Sequence, residues 1–139
     1  GFTNGVRVVD MAKGYSTLAN GGVYNDRTCI IKIEHEHDGE LTKDLKPSAH
    51  QVYRDDSAFM LTDVLKGTFT AAYGTGQGLG LDNDMPAAGK TGTTKAAGYC
   101  LIMAEKDDSN REFISVVLKS DSRPHLYDNM TNIISKIVK

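Results

Sequence analysis

Between residues 6 and 20, Val8, Met11, Ala12, Tyr15, Leu18 and Ala19 recur at helical spacing. Positions three and four apart share one face of an α-helix, so an amphipathic helix is predicted here, stopped by Asn20-Gly21-Gly22. The pattern then shifts toward alternation through Cys29-Ile30-Ile31-Lys32-Ile33-Glu34-His35-Glu36-His37, with Ile31, Ile33, His35 and His37 on one face. Asp38-Gly39 suits a tight hairpin turn, and a small hairpin is predicted at about 28–43. Helical spacing returns with Phe59, Met60, Val64, Leu65, Phe69 and Tyr73. Acidic Asp55 and Asp56 with Ser57 as a cap place the start of this second helix near residue 56, and it runs to about 72. Gly74-Thr75-Gly76-Gln77-Gly78-Leu79-Gly80 breaks it, and Pro86 bars Met85 from the helical state.

Two apolar runs of strand length follow, Gly98-Tyr99-Cys100-Leu101-Ile102-Met103-Ala104 and Phe113-Ile114-Ser115-Val116-Val117-Leu118, separated by the charged segment Lys106-Asp107-Asp108-Ser109-Asn110. With the segment before them they predict three antiparallel strands within about 87–118. Asp121-Ser122-Arg123-Pro124 then opens a helix whose stripe is Leu126, Met130, Ile133, Ile134, Ile137 and Val138. The fold class is α+β: an antiparallel sheet with the last helix on one face and the first two helices on the other.

Composition narrows the function classes. The 139 residues, 40% hydrophobic and 24% charged, suit one domain or one lobe of a larger one. A net charge of −2 with scattered lysines argues against nucleic acid and against an anionic membrane surface. No run approaches the roughly 18 apolar residues of a membrane span. Gly1-Phe2-Thr3-Asn4 carries no secretory pattern, and the absence of an initiating Met fits a piece cut from a longer protein. Cys29 and Cys100 are read as two reduced, buried thiols. His35 and His37 do not have the spacing of a zinc signature and fit a solvated hairpin tip; no metal and no cofactor are expected.

Chemistry concentrates in Gly89-Lys90-Thr91-Gly92-Thr93-Thr94. In an extended strand Lys90 and Gly92 point one way, Thr91 and Thr93 the other, and Gly92 leaves room for another backbone to approach. The plain alternative is a lysine guarding a sheet edge. A nucleotide loop is excluded, because Asp84 stands where the phosphate-cradling motif needs a glycine. The alternate glycines 74, 76, 78 and 80 follow a predicted helix instead of a strand and lack the dinucleotide spacing.

Lys90-Thr91-Gly92, entered from a glycine-rich loop and followed by two strands and a helix, resembles the third signature of the acyl-serine transferases, the penicillin-binding proteins and serine β-lactamases. Two further stretches resemble bifunctional penicillin-binding proteins in the same order: residues 11–24, Met-Ala-Lys-Gly-Tyr-Ser-Thr-Leu-Ala-Asn-Gly-Gly-Val-Tyr, and Tyr73-Gly74-Thr75-Gly76. After Thr94 the likeness shifts. That branch usually carries a tryptophan-containing strand, this chain has no tryptophan, and residues 97–101 and 111–118 look more like the DD-carboxypeptidase branch.

The resemblance implies the C-terminal part of a penicillin-binding transpeptidase domain, with 1–86 supplying helices and hairpin and 87–139 the sheet and closing helix. It implies Lys90, Thr91 and Gly92 as catalytic residues and Thr91, Thr93 and Thr94 as substrate-binding residues. The implied partners are a peptidoglycan stem peptide or a β-lactam, together with the missing N-terminal part of the domain. The implied location of the parent is the outer side of the bacterial cytoplasmic membrane. Two family motifs are absent: no position fits Ser-x-x-Lys, and Tyr127-Asp128-Asn129 spells the Ser/Tyr-x-Asn motif only after the lysine strand, in a predicted helix. The isolated chain is therefore expected to be inactive. A non-catalytic peptide-binding or structural module and a DD-carboxypeptidase-type fragment stand as alternatives.

Overall fold

The computed structural model describes residues 5–26, 28–30, 32–34, 41–44, 47–79, 86–107 and 109–137. Helix α1 (Val8–Ala19) leads into strand β1 (Val23–Asn25). Strands β2 (Lys32–Glu34) and β3 (Leu41–Asp44) pair antiparallel and are flanked by β1 and β4 (Ala49–Gln51), which also pair. Helix α2 (Asp55–Thr70) and a short 3-10 turn (Gln77–Leu79) precede the main sheet. That sheet is β5 (Ala87–Thr94), β6 (Gly98–Lys106) and β7 (Glu112–Ser120), antiparallel in the order β5-β6-β7, and helix α3 (Arg123–Ile137) closes the fold.

The inner hairpin agrees with the expected strand pair; its turn, with His35 and His37, lies outside the described residues. The outer pair β1–β4 escapes the periodicity because three residues are too few to show alternation. One end is fixed by backbone instead, where the Gly22 carbonyl accepts from the Val52 and Tyr53 amides at 2.9 and 3.2 Å, and at the middle pair the Tyr24 and His50 rings stack at a tilt, 5.3 Å apart.

The core lies between the sheet and α3. Leu101 and Met103 of β6 meet Leu126, Met130 and Ile134 of α3 and Leu79 of the 3-10 turn. Full burial of side chains this size stabilises by about 1.5–3 kcal/mol each. Ser122 caps α3 as expected, accepting the His125 amide at 3.3 Å. The neighbouring positions Ile102 and Ala88 are also buried but point to the opposite face of the sheet, where α1 packs against β6 and β7.

Helix α2 departs from expectation in three ways. It runs against β5 and sends Phe69 into the same core that α3 covers, so it does not simply share the α1 face. Ser57 is not its cap: the helix starts after Arg54, and the Asp55 and Asp56 carboxylates accept the amides of Asp56 and Ser57. Its apolar stripe is largely uncovered, with Phe59, Met60 and Val64 at 69%, 68% and 73% exposure. Among the cysteines, Cys29 is exposed and Cys100 half-buried, and both are free. No helix among the described residues is long and apolar enough to cross a membrane.

One core residue is a carboxylate. Glu105 is 1% exposed; its Oε1 accepts from Ser115 Oγ at 2.5 Å, while Oε2 has no partner. Burial raises its pKa above the usual 4.5, opposed by the Ser115 hydrogen bond. The unfolded chain releases this proton at lower pH than the folded one. The stabilisation is therefore complete below pH 4.5 and lost as pH rises through the elevated folded value. Glu105→Gln should flatten this dependence and raise the melting temperature at pH 8 relative to wild type, with the gain shrinking toward pH 4. Melting curves of both proteins across that range check it; a constant difference at all pH values would contradict the assignment.

Candidate functional site

Strand β5 is buried at its root and open at its tip. Ala88 and Gly89 are buried, Lys90 is exposed, Thr91 is half-buried, and Gly92, Thr93 and Thr94 are exposed. The root is held by α2: Thr68 Oγ donates to the Gly89 carbonyl at 2.6 Å, and a Cβ at Gly89 would lie 2.4 Å from the Ile102 carbonyl oxygen and 3.0 Å from the Phe69 ring. Register fixes the faces. Thr91 pairs with Leu101 and Thr93 with Tyr99, on the face that α3 covers; Lys90 pairs with Ile102 and Gly92 with Cys100, on the other.

At the tip the environment opens. A Cβ built on Gly92 meets nothing within 4 Å. The Lys90 ammonium donates to the Thr91 carbonyl beside it. Thr94 Oγ accepts the Ala97 amide at 2.9 Å, which closes the β5–β6 turn. The expected site residues thus fall on one strand end, with Lys90 and Gly92 on one face, Thr91 and Thr93 on the other and Thr94 at the last strand position, paired with Gly98. Tyr127-Asp128-Asn129 lies on α3, with Asp128 and Asn129 exposed.

The glycine-rich loop after α2 is tied to this strand. The Gly74 amide donates to the Ala71 carbonyl at 2.7 Å and the Gly76 amide to the Thr68 carbonyl at 2.9 Å, folding the loop back over the helix end. Thr75 then reaches β5, its Oγ 2.5 Å from Thr91 Oγ, and its carbonyl accepts from the Tyr127 hydroxyl of α3. Sequence reasoning did not assign Thr75 or Tyr127 to the site. The available signal was the glycine pair flanking Thr75, which marks close backbone approach but not its target. A Cβ at Gly76 would stand 2.6 Å from the Phe69 ring. Gly76→Ala is expected to destabilise by about 1–3 kcal/mol through overpacking, visible as a lowered denaturation midpoint at unchanged slope; an unchanged midpoint would mean that Phe69 moves aside freely.

A second feature lies between α1 and α2. A groove of about 470 Å³, lined by Met11, Tyr15, Leu18, Tyr53, Ala58 and Leu61 among others, opens beside the uncovered α2 stripe.

The sheet and its closing helix define a fold class, and comparison with known proteins gives the family. A family model described as the penicillin binding protein transpeptidase domain matches residues 4–132. The chain belongs to the penicillin-binding protein transpeptidase family and is a fragment of that domain. It is 39% identical over 94 residues to penicillin-binding protein 1A/1B of Bacillus subtilis (strain 168), covering 68% of this chain and 10% of that protein. It is 40% identical over 84 residues to penicillin-binding protein 1A of Streptococcus oralis, covering 60% of this chain and 12% of that protein. The fold is similar to the crystal structure of the D,D-transpeptidase domain of a peptidoglycan glycosyltransferase from Eggerthella lenta. The TM-score is 0.74 at 17% identity, over 99% of this chain and 35% of that one. The chain thus spans about a tenth of the length of the curated relatives and about a third of the matched structure.

Proposed function

We propose that this chain is the C-terminal part of a peptidoglycan DD-transpeptidase domain and forms the lysine-bearing wall of its acylation site. Residues 1–86 supply the helices and hairpin, and 87–139 the sheet and closing helix. The observation that carries the reading is the geometry of β5: rooted in the core at Ala88 and Gly89, it presents Lys90, Thr91, Gly92 and Thr93 on an open strand end.

In the reaction, a serine hydroxyl supplied by the rest of the domain attacks the carbonyl of a D-Ala-D-Ala peptide bond. The C–N bond breaks, the terminal D-Ala leaves with a proton, and an acyl-serine ester remains. An amine acceptor then takes the acyl group, releasing the serine and forming a cross-link; a β-lactam is opened by the same attack. Lys90 contributes positive potential at the substrate carboxylate and to the proton-transfer network. The Thr93 amide serves as an oxyanion donor, and the Thr91 and Thr93 hydroxyls hold the carboxylate beside Thr94. Gly92 leaves the strand bare for the peptide to lie along. The parent protein works at the outer side of the bacterial cytoplasmic membrane.

The remaining partner is the rest of the transpeptidase domain, carrying Ser-x-x-Lys. The uncovered side chains of Phe59, Met60 and Val64 and the adjoining groove support this placement of it, since monomeric proteins seldom leave large contiguous apolar patches in water. Fluorescent penicillin tests the whole reading. The isolated chain should take no covalent label, and a complex reassembled with the preceding part of the domain should be labelled on that part. Label on the isolated chain would reveal another nucleophile, and an assembled complex that takes none would favour a non-catalytic module.

A further inference from the structure

We propose that Thr75 is a positioning residue that orients the Thr91 hydroxyl toward a substrate carboxylate; the proposal rests on the acyl-transfer reading above. The hydroxyl oxygens of Thr75 and Thr91 lie 2.5 Å apart. Each hydroxyl has one proton, so only one of the two donates to the other. If Thr91 donates to Thr75, its proton is spent inside the protein. If Thr75 donates to Thr91, the Thr91 proton is free to point outward. A carboxylate only accepts, so its arrival at Thr91 selects the second arrangement, a chain running from Thr75 to Thr91 to the carboxylate in which each bond polarises the next.

The loop is built to hold Thr75 in place. Its carbonyl is engaged by the Tyr127 hydroxyl, and the neighbouring Gly74 and Gly76 amides are bonded to the end of α2. Four positions on, the Leu79 side chain is buried in the core and its carbonyl accepts from Thr131 Oγ at 3.3 Å. The Thr75 hydroxyl thus starts from a fixed backbone and meets a half-buried partner on β5. A substrate end that is esterified carries no full negative charge and gives a weaker preference for this chain of donors.

The test uses the complete transpeptidase domain and measures the second-order acylation constant for benzylpenicillin and for its methyl ester. Thr75→Val should lower the constant for the free acid about 3- to 10-fold, the range of one lost hydrogen bond, and leave that for the ester nearly unchanged. Thr75→Ser should retain the wild-type constant for both. Tyr127→Phe, which frees the Thr75 carbonyl without touching the hydroxyl pair, should give a smaller loss with the same selectivity for the acid. Equal losses with acid and ester would reduce Thr75 to a structural residue, and no loss with the acid would end the proposal. A wild-type domain that is not acylated at all overturns the acyl-transfer reading and this proposal with it. Acylation that depends on Lys90 but not on Thr75 overturns this proposal alone.

Discussion

Lys90→Ala in the complete transpeptidase domain is expected to slow penicillin acylation by about 10²–10³-fold, the usual cost of removing one preorganised electrostatic contact from a transition state. The fold gives the residue little else to do. Its side chain is exposed, and its ammonium donates to the carbonyl of the next residue. Stability should therefore change by no more than about 0.5 kcal/mol, as for other surface substitutions. Lys90→Arg should rescue poorly, because a planar guanidinium neither gives up a proton nor occupies the space of a compact ammonium. Single-turnover labelling with fluorescent penicillin, alongside thermal melts, separates the outcomes. If the alanine variant labels at the normal rate but aggregates more readily, Lys90 is only an edge guard and the catalytic role fails.

What the sequence discloses about this fold depends on how far each contact is local. The stripe of α3 predicts its buried face because Leu126, Met130 and Ile134 are packed by elements of this chain. The same periodic argument marks Phe59, Met60 and Val64 as an apolar face, yet they stand exposed. Periodicity reports that a face is apolar and says nothing of what covers it. The cap expected at Ser122 forms and the one expected at Ser57 does not, although both serines follow acidic residues. At α2 the Asp55 and Asp56 side chains take the first amides themselves, so the helix starts before the serine.

The candidate site divides the same way. Alternation along β5 places Lys90 and Gly92 on one face and Thr91 and Thr93 on the other, and the register agrees. The link from Thr75 to Thr91 and Tyr127 spans 16 and 52 positions, and no local pattern reports such a meeting. It arises only after the loop has folded back over α2 and α3 has closed on the sheet. Cys29, read as buried, is exposed because it lies in a surface segment beside the two small sheets and not in the main one.

Gly92→Val separates folding from function most sharply, because the two should move in opposite directions. Nothing lies within 4 Å of a Cβ at this position, and its backbone is ordinary strand, paired with Cys100. A β-branched residue there relieves the entropic cost of glycine in a strand, a gain of about 0.5–1 kcal/mol. The same side chain would stand in the space through which a peptide approaches the strand. Displacing the reacting carbonyl by even 1 Å can cost about 10²-fold in rate, so acylation should fall by that order while the melting temperature holds or rises. Gly92→Ala should be intermediate in rate and fold normally. Were the valine variant acylated as fast as wild type, the substrate would not run along the β5 edge past Gly92, and the open space there would be surface without function.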